Sequence, residues 1–221
     1  MARAGPVKIL TISDKVDPLI YSERIRDRFE DVDLVLSCGD LPGYYLDYIV
    51  SMLNKPLYYV FGNHGPQDMD QRTMDGWAGC TNLDTRVVNH QGLLIAGLEG
   101  SMRYNRRERY QYTEFQMGDK IRRMLPALVW NRLRWGRYLD VLITHAPPCG
   151  IHDAGDLCHR GFKSFLRFMD WFSPRYLIHG HMHLYMPNQP TRTIYKRTEV
   201  INTYGYRLLE IEVPPRPLES G

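Results

Sequence analysis

Six short, nearly continuous apolar runs set the limits on what this chain can fold into, because almost every one is cut off by glycine or a polar residue. Residues 7–13 stop at Asp14, 34–37 at Cys38-Gly39-Asp40, and 57–61 at Gly62-Asn63-His64-Gly65. Residues 93–98 run into Glu99, 141–144 into His145, and 176–178 into His179-Gly180-His181. Between them, 21–29, 44–53, 113–131 and 161–172 carry apolar residues at helical spacing. Runs apolar at every position, alternating with helical patterns, predict an α/β fold with strands covered on both faces. Beyond Pro190 the texture changes to alternating β residues over 192–196, 198–204 and 206–213, which predicts an antiparallel meander with Gly205 near a turn. The proline-rich tail, Pro214-Pro215-Arg216-Pro217, cannot pair inside a sheet. No repeat or linker interrupts the pattern, so residues 1–221 read as one domain with its core at about 7–213.

Composition removes several classes of function. At 221 residues, 43% hydrophobic and 24% charged, the chain is in the range of globular domains that bury a core without staples. The formal charge is +3, too mild to argue strongly for nucleic acid, which stays a weak option, or for anionic lipid. Cys38, Cys80, Cys149 and Cys158 form no C-x-x-C pair and read as reduced thiols. The first residues lack the apolar core of a signal peptide, and no apolar stretch is long enough to span a bilayer. The expectation is a cytoplasmic protein without a membrane partner; oligomeric state is left open.

The chemistry sits where the apolar runs end. Asp14, Asp40, Asn63 with His64, His145, and His181 with His183 are a carboxylate, carboxamide or imidazole at the carboxyl ends of separate strands. Ligands of open α/β sheets collect at such ends. Each of these side chains donates a lone pair to a divalent metal. Singly, Asp14, Gly39-Asp40 and 62–65 read equally well as turns. Together they point to a metal. In an extended segment, His181 and His183 at i and i+2 share one side. His179 reads as a core or supporting residue and His90 as surface.

The ordered set Asp14, Gly39-Asp40, Gly62-Asn63-His64, His145 and Gly180-His181-Met182-His183 resembles the motif series of the calcineurin-like metallophosphoesterases, over about residues 7–204. That resemblance implies a four-layer α/β sandwich of two facing mixed β-sheets flanked by helices. It implies two divalent metals (Mn, Fe or Zn), with Asp40 bridging, Asp14 and His183 on the first, and Asn63, His145 and His181 on the second. It further implies that a metal-bound hydroxide attacks phosphorus, while His64 protonates the leaving oxygen or donates to the transition state. The expected substrate is a phosphodiester or phosphomonoester on a small phosphorylated molecule or nucleotide.

The family's pattern fails at two positions. Val16 stands where a ligand histidine is usual, with Asp17, His152 and His159 as candidate replacements and Lys15 as a candidate fixed charge beside the depleted site. Gly65 stands where an acidic residue usually orients His64. Both departures keep a second function open: a non-catalytic or weakly active binding protein on the same scaffold. Arg103, Arg106, Arg107 and Arg109, interleaved with Tyr104 and Tyr110, read either as a solvated loop or as a phosphate-binding lip. Arg122, Arg123, Arg132, Arg134 and Arg137 read as an exposed helix and its exit. The proline-stiffened segment after His145 resembles the family loop that borders the substrate cleft. No G-x-S-x-G, Walker, G-x-G-x-x-G or H-E-x-x-H motif offers a competing chemistry.

Overall fold

The computed structural model describes residues 5–64, 79–105, 109–183 and 189–215. The apolar runs become the centres of two sheets. In the first, β1 (Val7–Ser13), β2 (Leu34–Ser37), β3 (Leu57–Tyr59) and β4 (Cys80–Asn82) are parallel, and β13 (Gly205–Ile211) lies antiparallel on β1. In the second, β6 (Leu93–Leu98), β9 (Val141–Thr144), β10 (Tyr176–His179) and β12 (Thr198–Asn202) are parallel. Its edges are the antiparallel strands β5 (Val87–His90) and β11 (Arg192–Tyr195). A two-residue parallel ladder joins β7 (Ser101–Met102) to β8 (Gln111–Tyr112).

Three cores define the layers. Ile9, Leu36 and Leu209 of the first sheet meet Ile95, Ile143, Ile178 and Ile201 of the second, so the sheets pack face to face. On the outer face of the first sheet, Leu10, Ile12 and Val35 pack with Ile25 and Phe29 of α1 (Ile25–Phe29) and Tyr45, Leu46 and Ile49 of α2 (Gly43–Leu53). On the outer face of the second, Leu94, Leu142 and Leu177 pack with α3 (Glu114–Trp135) and α4 (Lys163–Phe172). Helices, sheet, sheet, helices: this is the four-layer sandwich with two mixed sheets.

Local chemistry explains where the helices start and stop. Thr113 and Gln116 exchange hydrogen bonds across the first turn of α3, satisfying two amides that a helix start leaves open. Gly136, at φ 70°, ends α3 in the left-handed conformation that glycine adopts without strain. Phe165, Phe168, Met169 and Phe172 line the buried face of α4 at helical spacing. The Glu114 carboxylate accepts from the amides of Lys163 and Ser164, so the start of α3 caps α4.

Several expectations are corrected. The last three strands are not a meander: β11 and β12 form a hairpin, but β12 is parallel to β10 and β13 crosses to β1 in the other sheet. Alternation in 206–213 reports a half-buried edge strand without saying which sheet it joins. The first helix spans only Ile25–Phe29, since 17–22 are tied into turns through Asp17 and Ser22. His90 is buried, not a surface residue, and its Nδ1 meets the Tyr58 hydroxyl at 3.3 Å. Arg137 is not a solvated helix exit; it pairs with the fully buried Asp140 at 2.7 Å and donates to the Gly92 carbonyl. Strand β4 falls in a stretch too polar for its periodicity to show.

Candidate metal centre

The motif residues follow the ends of β1, β2, β3, β9 and β10, and the backbone there takes an unusual path. Asp14, Asp40 and His181 have φ of 63°, 52° and 66°, in the left-handed region that costs a side-chain-bearing residue strain. His181 is therefore not in an extended segment, and the expectation that His181 and His183 share one side through β alternation fails. Glycines let the turns approach one another. A Cβ on Gly62 would overlap the Asp40 carboxylate, and one on Gly180 would overlap Ser13 Oγ and crowd Asp14. The turn sequences that read as simple punctuation are thus fitted to carboxylates.

Among the described residues, Asp40, His145 and His181 bring ligand atoms within 4.8 Å of one another. His145 is fully buried and anchors the group. Its Nδ1 faces the Cys38 carbonyl at 2.8 Å, and its Nε2 lies 2.9 Å from Asn63 Oδ1 and 3.1 Å from Asp40 Oδ2. Asn63 is also buried, and its Nδ2 donates to the Tyr104 hydroxyl at 3.1 Å, which turns the amide oxygen towards His145. The His181 ring sits 4.8 Å from that of His145, centroid to centroid, and its Nε2 meets the Cys158 carbonyl at 2.8 Å. That contact makes Nε2 the protonated nitrogen of a neutral ring and leaves the lone pair on Nδ1.

The charges follow from this packing. Burial would lower the His145 pKa, but the carboxylates of Asp40 and then Asp14, with the Cys38 carbonyl, raise it to about 9. Burial would likewise raise Asp40, yet His145 and the His64 amide hold it down at about 2. The pair is thus a buried imidazolium and a carboxylate. Burial and the neighbouring His145 charge push His181 down to about 3, so it is neutral. Burial raises Asp14, whose two oxygens accept from the His181 amide at 2.9 and 3.1 Å.

This donor set fits a divalent cation. Three acceptors, the Cys38, Asp40 and Asn63 oxygens, surround one imidazolium, and its Nε2 proton occupies the place between oxygens where a cation would compete. Metal–ligand bonds of about 2.0–2.2 Å put neighbouring donor atoms about 3 Å apart; Nε2 lies 2.9 and 3.1 Å from its two oxygens. The carbonyl at Nδ1 fixes the tautomer that presents Nε2, as metal-binding histidines require.

The other predicted residues are placed differently. His64 stands at the mouth, 61% exposed, with its amide on Asp40 Oδ1 at 3.1 Å and Nε2 4.0 Å from Oδ2. Asp14 and His183 lie outside the convergent group; the His183 ring lies against Tyr204, 4.9 Å between centroids. Val16 is partly buried and packs against the core between the first sheet and its helices. Of the candidate replacements, Asp17 caps the Leu19 amide, and both ring nitrogens of His152 are engaged, by His179 at 3.0 Å and Thr193 at 2.9 Å. His159 bonds Asp156 through Nδ1 and lies 5.2 Å from the His181 ring, centroid to centroid. His179, expected as a supporting residue, is buried and bonds the Gly180 carbonyl. Arg103 is tied to the Gln111 carbonyl and Gln116, so it does not serve as a free phosphate ligand. Gly65, Arg106 and Arg107 lie outside the described residues. Sequence reasoning noted Tyr104 only as part of the arginine-rich loop and missed its hold on Asn63; no spacing signal could have joined residues 41 positions apart.

The model of the calcineurin-like phosphoesterase family matches residues 7–185. No curated protein matches the sequence. Among solved structures, one aligns with a TM-score of 0.65 at 16% identity, over 93% of this chain and 95% of the other. TT1561 of Thermus thermophilus aligns at 0.61 and 15% identity, over 95% and 100%. GAP50, the anchor in the inner membrane complex of Plasmodium, aligns at 0.53 and 12% identity, over 90% and 71%. At these identities the likeness is one of fold. With the family model spanning every motif residue from Asp14 to His183, the chain belongs to the calcineurin-like phosphoesterases.

Proposed function

We propose that the protein is a metal-dependent phosphoesterase that hydrolyses a phosphomonoester or phosphodiester of a small phosphorylated molecule or nucleotide. The observation that carries this reading is the convergence of Asp40, His145 and His181, with the Asn63 oxygen, at one end of the sandwich. Asp40, Asn63, His145 and His181 would hold one cation, and Asp14, Asp40 and His183 a second; Mn, Fe and Zn suit mixed N and O donors. When bound, such ions supply Lewis acidity towards phosphoryl oxygen and water.

The chain's own residues supply the rest. Asp40 brings a fixed carboxylate charge, held by the His64 amide. His145 gives up its Nε2 proton when a cation is taken. His64, whose side chain is exposed beside Asp40, would donate a proton to the leaving oxygen. The 150–161 segment reaches the cluster through the Cys158 carbonyl, which holds the His181 ring.

A second reading, a binding protein with little turnover, is favoured by one observation: Val16 packs against the core and offers no ligand, while Asp14 is committed to the His181 amide. Reconstitution with Mn²⁺, Fe²⁺, Zn²⁺, Ni²⁺ or Mg²⁺ and a screen of generic monoesters and diesters separates the two. Hydrolysis that requires a metal, with His64→Ala lowering kcat about 10²–10⁴-fold at unchanged metal content, supports the enzyme. Stoichiometric metal without turnover supports the binder. A protein that takes up no metal overturns both.

A further inference from the structure

Away from the metal centre, the two sheets leave an open edge between β11 and β13, and two arginines face each other there. Arg192 stands opposite Ile201 in the β11–β12 ladder, and Ile201 belongs to the core between the sheets. Cross-strand partners share a face, so Arg192 is on the inner face of the second sheet. Arg207 is two residues before Leu209, which lies in the same core, so strand periodicity puts Arg207 on the inner face of the first sheet. Both residues line one cavity of about 430 Å³, with Tyr206, Leu208 and Leu209.

The positive charge there is under-compensated. Arg192 uses Nε on Glu199 at 3.0 Å, and Arg207 uses Nε on the Asn202 carbonyl at 2.7 Å. The terminal nitrogens of both guanidiniums have no partner among the described residues. Arg207 is half-buried, and burial together with the Arg192 charge lowers its pKa. A half-buried guanidinium facing a second one, with Glu199 the one carboxylate paired to either among the described residues, is unfavourable alone and is relieved by an anion that both can bind. The free edge of each is the two-pronged donor that matches phosphoryl oxygens.

We propose that this edge is an anion site for a phosphate dianion, free or as the end group of a small monoester, held by Arg207 and Arg192. It is separate from the metal centre and stands whether or not that centre hydrolyses anything.

The test uses the full chain stripped of metal with a chelator, so that the metal centre cannot hold phosphate through an ion. Inorganic phosphate, glycerol 2-phosphate and, as control, chloride at equal ionic strength are titrated by calorimetry and by thermal shift. Expected is saturable binding of phosphate but not chloride, with a rise in Tm, weakened about 10-fold or more in Arg207→Gln and in Arg192→Gln. Arg192→Gln leaves the Arg207 contact to Asn202 in place, so it answers for any folding defect of Arg207→Gln. Binding of both probes assigns a monoester end group, and binding of inorganic phosphate alone assigns the free ion. Absence of saturable binding, or binding unchanged in both variants, overturns the proposal.

Discussion

Metal uptake should release a proton, and the structure says which one. In the metal-free protein His145 is an imidazolium with a pKa of about 9, because Asp40, Asp14 and the Cys38 carbonyl outweigh its burial. A cation can use Nε2 only after that proton leaves. At pH 7, about two units below the pKa, only about 1% of the protein has the nitrogen free, which weakens apparent affinity on the order of 100-fold. Asp40, held at about 2, and His181, at about 3, need lose nothing at neutral pH. One proton per ion is therefore expected, with affinity rising about tenfold per pH unit from pH 6.5 towards 8.5. Calorimetry with Mn²⁺ in buffers of different ionisation enthalpy reads the proton count directly, and His145→Gln should abolish it. A proton count near zero at pH 7, with affinity flat across that range, would refute the buried imidazolium.

The same pair gives the metal-free protein a stability window. The raised His145 contributes fully below its ordinary 6.5 and loses its contribution as pH climbs through about 9, while the depressed Asp40 contributes above its ordinary 3.8 and fails as pH falls through about 2. His181 and His179, both pushed down to about 3 by burial, cost the folded state as pH falls below 6.5, so melts in chelator should peak near pH 6.5, and a maximum above pH 8 would contradict this. Tyr104→Phe strips the acceptor from Asn63 Nδ2 and loosens the amide, so metal affinity should drop about 10–100-fold with little change in fold, as equilibrium dialysis would show. Lys120→Met leaves the buried Glu99 and the partly buried Asp84 without the cation that bridges them at 3.1 and 2.7 Å, and urea unfolding should report a loss of about 3 kcal/mol, partly recovered by adding Glu99→Gln.

What could be read in the sequence was whatever local periodicity and strand-end chemistry encode. The central strands β1, β2, β6, β9 and β10 are apolar on both faces because helices cover one side and the opposing sheet the other, and that leaves a continuous run. Asp40, Asn63, His145 and His181 stood out because parallel strands deliver their ends to one side. The failures share a cause. Where β13 pairs, how His90 is covered and what holds Asn63 are decided by residues 32 to 204 positions away, and no window of sequence contains both partners. His181 shows the cost most clearly. Its place two residues before His183 suggested strand alternation, yet its backbone is left-handed, because the Asp14 carboxylate captures its amide and the Cys158 carbonyl captures its ring. Those two contacts, from 167 and 23 residues away, turn the ring towards His145. The strand alternation that singled out His181 is thus replaced by another geometry: His181 converges on the cluster by bending out of the strand direction, and the His183 ring lies beside Tyr204.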